Sequence, residues 1–488
     1  MIRKGKLEKL LEPHLYALLN RDTYSLKFFY ARDILTSRRL DLAFKLFYLD
    51  YYEKNNMLAN DMYREHIRAF SLGEFSEPGN TDKNSIEKYI ESFHETFLNI
   101  KEHGFDSQKT LIPIGSDQTI INGAHRVASA IYLNKTVSCV VLDCDSPCYD
   151  YKFFYERKVP LAMIEQAVTT FVEYSSHVHI AFIWPIAKSS DTQVEALIPN
   201  IIYQKEMTLT PNGAHNLLSQ IYYGEAWLGT VENDFSGSKG KLVECFKSFD
   251  PVNVIVFHAN DLDEVLGVKE KIREYFNVGK HSIHITDTQE EALRTARIVL
   301  NENSIHFLNY AKPNRYLSTY NKIELFKNFL NESLVNTENV VIDSGMVLSA
   351  YGLREANDID YFYEGDKEIK SKNEIEENDK VLPYYKINKK NLIYNSKYYF
   401  YFNNIKFVAF PYLYKMKTSR AEIRDINDCK MMEALIEDNQ IKAWIHAYKQ
   451  KLFYIQVLIR QKIIAVLQKL GLFDIARTLY KKIKGSRV

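Results

Sequence analysis

The spacing of apolar residues predicts a chain that mixes helices with short strands. Near the start, leucines from Leu7 to Leu19 recur close to the helical period, and residues 1–60 are predicted to be helical. Residues 61–150 alternate helix and strand, with predicted helices over 85–100 and 124–133. The first 150 residues are therefore expected to combine a helical lead-in with an α+β module.

Three apolar runs predict strands in the middle of the chain. They cover residues 177–184, 253–257 and 282–285. Helical patterns over 262–276 and 289–300 follow the second and third runs. This alternation favours an αβ region of its own.

A further αβ unit is predicted closer to the C-terminus. The pattern indicates a helix over 321–330, a strand over 340–342, a helix over 346–351 and a strand over 358–363. Residues 385–410 are rich in Tyr and Phe and are predicted to form a hairpin or meander.

The length of 488 residues corresponds to about three domains at ~100–200 residues each. Hydrophobic residues make up 46% of the chain and charged residues 26%, which excludes a mostly disordered protein. We therefore predict an α+β and α/β multidomain protein. Its parts are a helical lead-in (1–60), an α+β module (61–150), an αβ middle domain (151–320), a further αβ domain (321–440) and a basic helical tail (441–488).

Charge is distributed unevenly along the chain. The net charge is +1, but residues 441–488 contain eleven Lys and Arg and a single acid, Asp474. The tail therefore carries +10 and the rest of the chain −9. An acidic body disfavours a nucleic-acid-binding protein, because duplex binding draws on clustered Lys and Arg. An anionic partner is expected to meet the C-terminus.

Five scattered cysteines lack the spacing of a zinc site and indicate free thiols in a reducing cytosol. The first residues contain no apolar segment typical of a secretory signal. No run of ~18 apolar residues is present, so no membrane-spanning helix is expected. The chain is predicted to be cytoplasmic.

A glycine turn opens a predicted helix at residues 122–126. Asn122-Gly-Ala-His-Arg126 follows a short apolar segment and leads into the helix. Backbone N–H groups at the start of a helix bind anions, and Gly123 allows a ligand to approach closely. His125 and Arg126 add charged donors. The pattern fits a phosphate site, and an ordinary turn with a solvated arginine is the alternative.

Residues 61–145 resemble the ParB/sulfiredoxin-like superfamily through Pro113-Ile-Gly-Ser-Asp-Gln-Thr-Ile-Ile-Asn-Gly-Ala-His-Arg126. The resemblance implies that Gly123, His125 and Arg126 hold the phosphates of ATP, ADP or CTP. Sulfiredoxins have a cysteine where this chain has Ala124, so sulfinic acid reduction is not expected. The arginine-rich box of chromosome-partitioning members is also absent. A small-molecule kinase or a phosphate-binding module remains.

A second motif joins a Ser-Gly turn to a pair of aspartates. Asp358 and Asp360 lie two apart on a predicted strand, so both carboxylates face the same side. Two carboxylates suit Mg²⁺ or Mn²⁺, with phosphates completing the coordination. Ser344-Gly345 opens the preceding helix, where N–H groups can hold nucleotide phosphates. The pattern indicates metal-assisted phosphoryl or nucleotidyl transfer.

Residues 321–438 resemble the nucleotidyltransferase-like superfamily. The resemblance lies in the Ser-Gly turn, the Arg-x-x-x-Asp-Ile-Asp spacing of residues 354–360 and a later segment rich in Lys, Arg and Asp, 415–428. Enzymes of this kind place a third carboxylate on the later strand, where this chain has Ala409 and Phe410. The resemblance leaves open an active enzyme or a degenerate domain that only binds.

The tail is predicted to be an amphipathic helix over residues 451–484. Its Leu and Ile residues form a broad apolar face among basic residues, which suits an anionic membrane surface. Such tails resemble those of peripheral enzymes of bacterial surface-polysaccharide assembly. A helix packed on its own domain is the alternative.

These patterns lead to one hypothesis with two alternatives. The chain is predicted to be a Mg²⁺-dependent enzyme that transfers phosphoryl or nucleotidyl groups from ATP or CTP to a sugar or small-molecule phosphate. Its expected setting is capsule or lipopolysaccharide synthesis, at the inner face of the membrane. The first alternative is a non-catalytic nucleotide sensor or scaffold, and the second is a ParB-like, DNA-associated protein.

Overall fold

The computed structural model is a mixed α/β structure, with four small sheets within its described residues. The structure describes residues 1–54, 57–76, 83–187, 193–367, 369, 372, 374–436, 455, 459, 462–473 and 476.

The N-terminal part contains a three-stranded sheet packed among helices. Its elements are β1 (Ile2–Arg3), α1 (Lys4–Leu7), α2 (Pro13–Ala17), β2 (Thr23–Tyr24), β3 (Leu26–Tyr30), α3 (Asp41–Tyr51), α4 (Met57–Ser71), α5 (Ile86–His103), β4 (Ile112–Ile114), α6 (Ala124–Tyr132) and β5 (Thr136–Val141). The sheet order is β3-β5-β4, with β3 antiparallel and β4 parallel to β5. The first 60 residues are thus not a purely helical lead-in, because β3 completes the sheet of the following module.

The middle part is built on an antiparallel sheet with the order β7-β8-β6-β9. Its elements are α7 (Tyr151–Glu156), α8 (Leu161–Tyr174), β6 (Val178–Ile183), α9 (Gln193–Leu197), β7 (Ile201–Met207), α10 (Pro211–Ile221), α11 (Ser236–Cys245), β8 (Val252–His258), α12 (Leu262–Phe276), β9 (Ile283–Ile285), α13 (Gln289–Val299) and α14 (Glu302–Tyr310). The three strands and two helices expected from the apolar pattern are confirmed.

The C-terminal part has a five-stranded sheet with the order β12-β11-β10-β14-β13. Its elements are α15 (Leu317–Glu332), β10 (Val340–Asp343), α16 (Gly345–Ala350), β11 (Ile359–Tyr363), β12 (Ile375–Glu377), α17 (Leu382–Tyr385), α18 (Lys389–Tyr394), β13 (Tyr399–Phe402), β14 (Ile405–Val408), α19 (Phe410–Arg420) and α20 (Ile423–Ile436). Asn403 and Asn404, with φ of 50° and 62°, close the expected hairpin in the left-handed conformation that two-residue turns require.

Buried side chains join these parts. A single apolar cluster runs from Ala31 in the N-terminal part to Leu308 in the middle part, and a second fills the C-terminal part. Asn301 ties the middle to the C-terminal sheet, because its side chain caps α14 through Ser304 and donates to the carbonyl of Tyr399 at 3.2 Å. The five-stranded sheet is thereby fixed against α14.

Most of the predicted tail lies outside the described residues. Within its described part, residues 462–469 are helical, as the apolar pattern predicts. In the ranges that the structure describes, no helix combines the length and the apolar character needed to cross a membrane.

Candidate active site

The Ser-Gly motif forms a sharp turn between β10 and α16. Ser344 has φ 55° and ψ −119°, a conformation that is costly for a residue with a side chain. Its hydroxyl donates to the Asp343 carboxylate at 3.1 Å. Ser344 and Gly345 are both buried, and α16 has only six residues. The helix is as short as the pattern predicts, and the buried turn offers little exposed backbone to a phosphate.

The strand pairing brings a third carboxylate to the predicted aspartate pair. In the antiparallel register of β10 and β11, Asp343 lies directly opposite Asp360. Directly opposed residues share one face of a sheet, so the side chains of Asp343 and Asp360 lie side by side. Asp358 does not lie on the strand as the pattern predicts: β11 begins at Ile359, and Asp358 precedes it closely enough for its negative charge to act on Asp360. Asp343 is fully buried, Asp360 is half-buried and Asp358 is exposed. The exposure of the three acids thus increases from Asp343 through Asp360 to Asp358.

Burial raises the pKa values of two acids in this group, Asp360 and Asp343. The pKa of Asp360 rises to about 7 because of burial first, and then because of the negative charges of Asp358 and Asp343. Burial also raises the pKa of Asp343, although hydrogen bonds from Tyr385 and Ser344 act in the opposite direction. Asp360 is therefore a carboxyl whose protonation changes close to neutral pH.

A metal ion would meet two accessible carboxylates here. Within the described residues, no group of three or more His, Cys, Asp or Glu side chains is arranged to hold a metal ion. Mg²⁺ needs only one or two carboxylates when substrate phosphates and water supply the remaining ligands. Asp358 and Asp360 fit this requirement, and their mutual repulsion is relieved by a divalent cation.

The later Lys, Arg and Asp residues form a buried ionic network behind the acids. Arg354 binds Asp428 through two hydrogen bonds of 2.8 and 3.0 Å. Lys417 contacts Asp428 at 2.7 Å and Asp425 at 3.1 Å, and Arg420 binds Asp425 with two bonds of 2.8 Å. The network holds the pKa values of both aspartates below their ordinary range. It anchors the loop that leads to Asp358 onto α19 and α20.

The other predicted motif lies in the N-terminal part, on a different sheet. Gly123 has φ 89° and begins α6, as the turn pattern predicts. The Arg126 guanidinium folds back to Glu12 at 3.0 Å and to the Thr110 hydroxyl. A phosphate ligand would compete with Glu12 for this arginine.

His125 is held in an aromatic and cationic environment. Its ring stacks on Phe93 with centroids 4.5 Å apart, and its Nε2 lies 2.9 Å from the Tyr63 hydroxyl. Burial first, and then the positive charges of Lys45 and Lys83, hold the pKa of His125 well below its ordinary value. An anion bound near His125 would be attracted by these two lysines.

Comparison with protein-family models, with curated proteins and with solved structures finds no match for this chain. The two family resemblances seen in the sequence therefore stay predictions. The same holds for the assignment of Asp358, Asp360, Ser344 and Gly345 to one site and of Gly123, His125 and Arg126 to another.

Sequence reasoning missed Asp343 and Tyr385. It looked for a third carboxylate near Ala409 and Phe410, beyond β14, whereas the structure has a carboxylate at the end of β10. Asp343 stands immediately before the Ser-Gly turn in the sequence. That position was the available signal, because an antiparallel β10–β11 pair places it beside Asp360. Tyr385 comes from a helix 42 residues away and has no comparable signal.

Proposed function

We propose that the protein is a Mg²⁺-dependent enzyme that transfers phosphoryl or nucleotidyl groups from ATP or CTP to a sugar or small-molecule phosphate. The observation that carries this proposal is the pairing of Asp343 with Asp360 beside the Ser-Gly turn, with Asp358 close enough for its charge to raise the pKa of Asp360. Its proposed setting is bacterial surface-polysaccharide synthesis at the inner face of the membrane, which rests on the resemblance of the tail.

Each part of the site has a distinct proposed role. Asp358 and Asp360 hold the metal, which supplies positive charge for the phosphate oxygens of the nucleotide. Asp343 is buried at the end of β10, where hydrogen bonds from Tyr385 and Ser344 hold its carboxylate in place. Arg354 fixes the loop before Asp358 through its two hydrogen bonds to the Asp428 carboxylate. The backbone of the Ser344-Gly345 turn faces the nucleotide phosphates.

A cleft suitable for the acceptor lies next to this loop. It has a volume of about 1160 Å³ and is lined by Lys312, Arg315 and the Gly352-Leu353 segment, among others. Arg315 donates to the carbonyl of Gly352 at 2.9 Å. The cleft lies where the middle and C-terminal parts meet, a usual position for ligand sites. The lining pairs Lys312 and Arg315 with Glu232 and Asp234, so it offers both cations and hydrogen-bond acceptors to an acceptor that carries phosphate and hydroxyl groups.

The nearest alternative is a non-catalytic nucleotide sensor. It is favoured by the burial of Ser344-Gly345 and the short α16, which limit the phosphate contacts of the turn. The N-terminal turn at Gly123, His125 and Arg126 serves in both proposals as a second nucleotide-phosphate site, near Lys45 and Lys83. Binding without turnover would identify the sensor.

Mg²⁺ is expected to stabilise the protein at pH 8 and to have little effect at pH 5.5. The proton competes with the metal for Asp360, whose pKa of about 7 leaves it mostly protonated at the lower pH. Without metal, the folded state should lose stability as pH rises from about 4 to about 7, because the unfolded chain ionises Asp360 near 3.8. Thermal denaturation with and without Mg²⁺ at both pH values measures these effects.

The control for this measurement is the double variant Asp358→Asn/Asp360→Asn. It should lose the Mg²⁺-dependent increase in melting temperature at pH 8, whereas Asp366→Asn, which alters an exposed acid beyond the same strand, should retain it. An equal response to Mg²⁺ in the wild type and the double variant would refute the metal site.

The tail is proposed to bind an anionic lipid surface. In its described part, Ile459, Ile463, Val466 and Leu470 follow the helical spacing, and each is more than half exposed. Basic residues flank these positions, so apolar insertion and attraction to anionic headgroups act together. These features support the proposal that the tail contacts the membrane surface from one side.

Replacing Ile459, Ile463 and Val466 together by Ser should weaken binding to vesicles by about tenfold or more. The wild type is expected to co-sediment with vesicles of phosphatidylglycerol and phosphatidylcholine, less so at high salt, and not with phosphatidylcholine alone. Val243→Ser, at a similarly exposed position on α11, serves as the matched control. Undiminished co-sedimentation of the triple variant would rule out this role of the tail.

A further inference from the structure

A second cavity, of about 170 Å³, lies between the middle and C-terminal parts. Gln220 of α10 and Arg294 of α13 line one side, and Lys327 of α15 and Asn403 of the β13–β14 turn line the other. Tyr320 and Phe402 add aromatic walls. A dry cavity of about 150 Å³ is large enough for a benzene ring, so this one admits a compact ring-sized molecule.

The polar groups of this cavity are incompletely satisfied. Both polar side-chain atoms of Gln220, the Nε of Arg294 and the Nδ2 of Asn403 are buried and have no hydrogen-bond partner within the described residues. Buried polar atoms without partners are rare, because each costs free energy on folding. Four such atoms on three residues that line one cavity indicate a ligand with several hydrogen-bonding groups.

The side chains that line the cavity carry a net positive charge. Arg294 and Lys327 are cations, and none of the described residues that line the cavity is acidic. Lys327 is partly engaged, since its Nζ contacts Glu324 at 2.7 Å and the Asn403 oxygen at 3.1 Å. Three of the four unpartnered atoms are donors, which match the oxygens of an anion better than those of a neutral sugar.

The cavity is separate from the acidic group. β10 and β14 are parallel, so Asn403 at the start of β14 and Asp343 at the end of β10 lie at opposite ends of the sheet. A ligand in the cavity therefore does not reach Asp358 or Asp360. It would instead connect α10 and α13 of the middle part with α15 and the hairpin of the C-terminal part.

We propose that the cavity between Gln220, Arg294, Lys327 and Asn403 binds a compact organic oxyanion, with the anionic group on Arg294 and Lys327 and the body between Tyr320 and Phe402. Phosphate and carboxylate share the recognised chemistry. The site uses none of the residues assigned to metal or nucleotide, and it borders the acceptor cleft, with which it shares Asn216, Pro313 and Asn314 in its lining.

Titration calorimetry of the full chain without Mg²⁺ tests the site. The probes are phenyl phosphate and benzoate, which distinguish phosphate from carboxylate on one ring, and phenol serves as the uncharged control. At least one of the two anions should bind saturably with a millimolar or lower Kd and raise the melting temperature, whereas phenol should not. Failure of both anions to bind would overturn the proposal.

Two variants separate binding from structure. Arg294→Gln should raise the Kd of the anion tenfold or more. The control Lys271→Gln, at an exposed position, should leave that Kd unchanged. Gln220→Leu should also weaken binding, yet raise the melting temperature of the unliganded chain, because it removes two unpartnered polar atoms. Unchanged affinity in both variants, or a Gln220→Leu chain that is less stable and binds normally, would refute the site.

The same titration distinguishes this proposal from the transferase proposal. Asp358→Asn/Asp360→Asn should bind the anion with wild-type affinity, because the two sites lie at opposite ends of the sheet. Loss of anion binding in that double variant would contradict a separate site, whatever the outcome of the Mg²⁺ measurements.

Discussion

Replacing Asp358 and Asp360 together by Asn is expected to reduce Mg²⁺-dependent turnover of ATP or CTP by about 10³-fold or more. The two carboxylates are the accessible members of the acidic group, so their loss removes the proposed metal ligands while the buried Asp343 remains. Removing one preorganised electrostatic group from an active site already costs about 10²–10³-fold in rate. The double variant should therefore fall to the uncatalysed background.

Hydrolysis of the nucleotide by water provides an assay that needs no known acceptor. Release of phosphate would indicate phosphoryl transfer, and release of pyrophosphate would indicate nucleotidyl transfer, so the product also identifies the reaction class. Asp366→Asn is the matched control, because it changes one exposed aspartate just beyond β11 and should keep wild-type turnover. The double variant should retain its fold, since Asn preserves the shape of each side chain.

One result would contradict the proposed activity, and another would contradict the proposed location of the active site. If the wild type binds ATP or CTP and releases neither product, the chain acts as a nucleotide sensor. If the double variant turns over nucleotide as fast as the wild type, the acidic group is not the active site. The second result would direct attention to the N-terminal turn at Gly123, His125 and Arg126, where Lys45 and Lys83 provide positive charge.

The sequence predicts individual helices and strands better than it predicts which of them pair or pack together. Apolar periodicity located β6, β8, β10 and β11 because each is a short run of buried apolar residues. It missed β7, whose residues include exposed or half-buried polar side chains such as Gln204 and Lys205. Burial on only one side weakens the apolar signal.

The candidate site shows the same limit. The spacing of Asp358 and Asp360 predicted both on one strand, whereas β11 begins at Ile359 and includes only Asp360. The pairing of Asp343 with Asp360 depends on the register of two strands separated by α16, which no local pattern determines. The partners of His125 and Arg126 lie 62 and 114 residues away, at Tyr63 and Glu12. The residue types thus predicted candidate site residues, but they did not predict which side chains contact those residues.

The largest effect on stability is expected from Asp428→Asn. Asp428 is fully buried and accepts two hydrogen bonds from Arg354 and a contact from Lys417. The substitution removes the negative charge that Arg354 and the buried Lys417 both contact, so each cation loses one ionic interaction. Removing one partner of a buried ion pair costs about 3–5 kcal/mol. The melting temperature should therefore fall markedly, in a transition followed by circular dichroism.

The loss should depend on pH with a definite sign. The pKa of Asp428 lies below its ordinary value because Arg354 and Lys417 outweigh the effect of burial. Its ionised form thus stabilises the wild type at neutral pH, and this stabilisation disappears as pH falls below the ordinary value of 3.8 through the lowered pKa. The difference between wild type and Asp428→Asn should be constant from pH 5 to pH 8 and shrink only under strongly acidic conditions.

A surface acid from the same region provides the control. Glu422 is half exposed and contacts Arg424, so Glu422→Gln should change the unfolding free energy by less than about 0.5 kcal/mol. Turnover provides a second readout, because Arg354 released from Asp428 no longer fixes the loop before Asp358. A stable Asp428→Asn protein with full turnover would show that the loop is held by other contacts. A stable protein with lost turnover would instead assign the network to positioning the acidic pair.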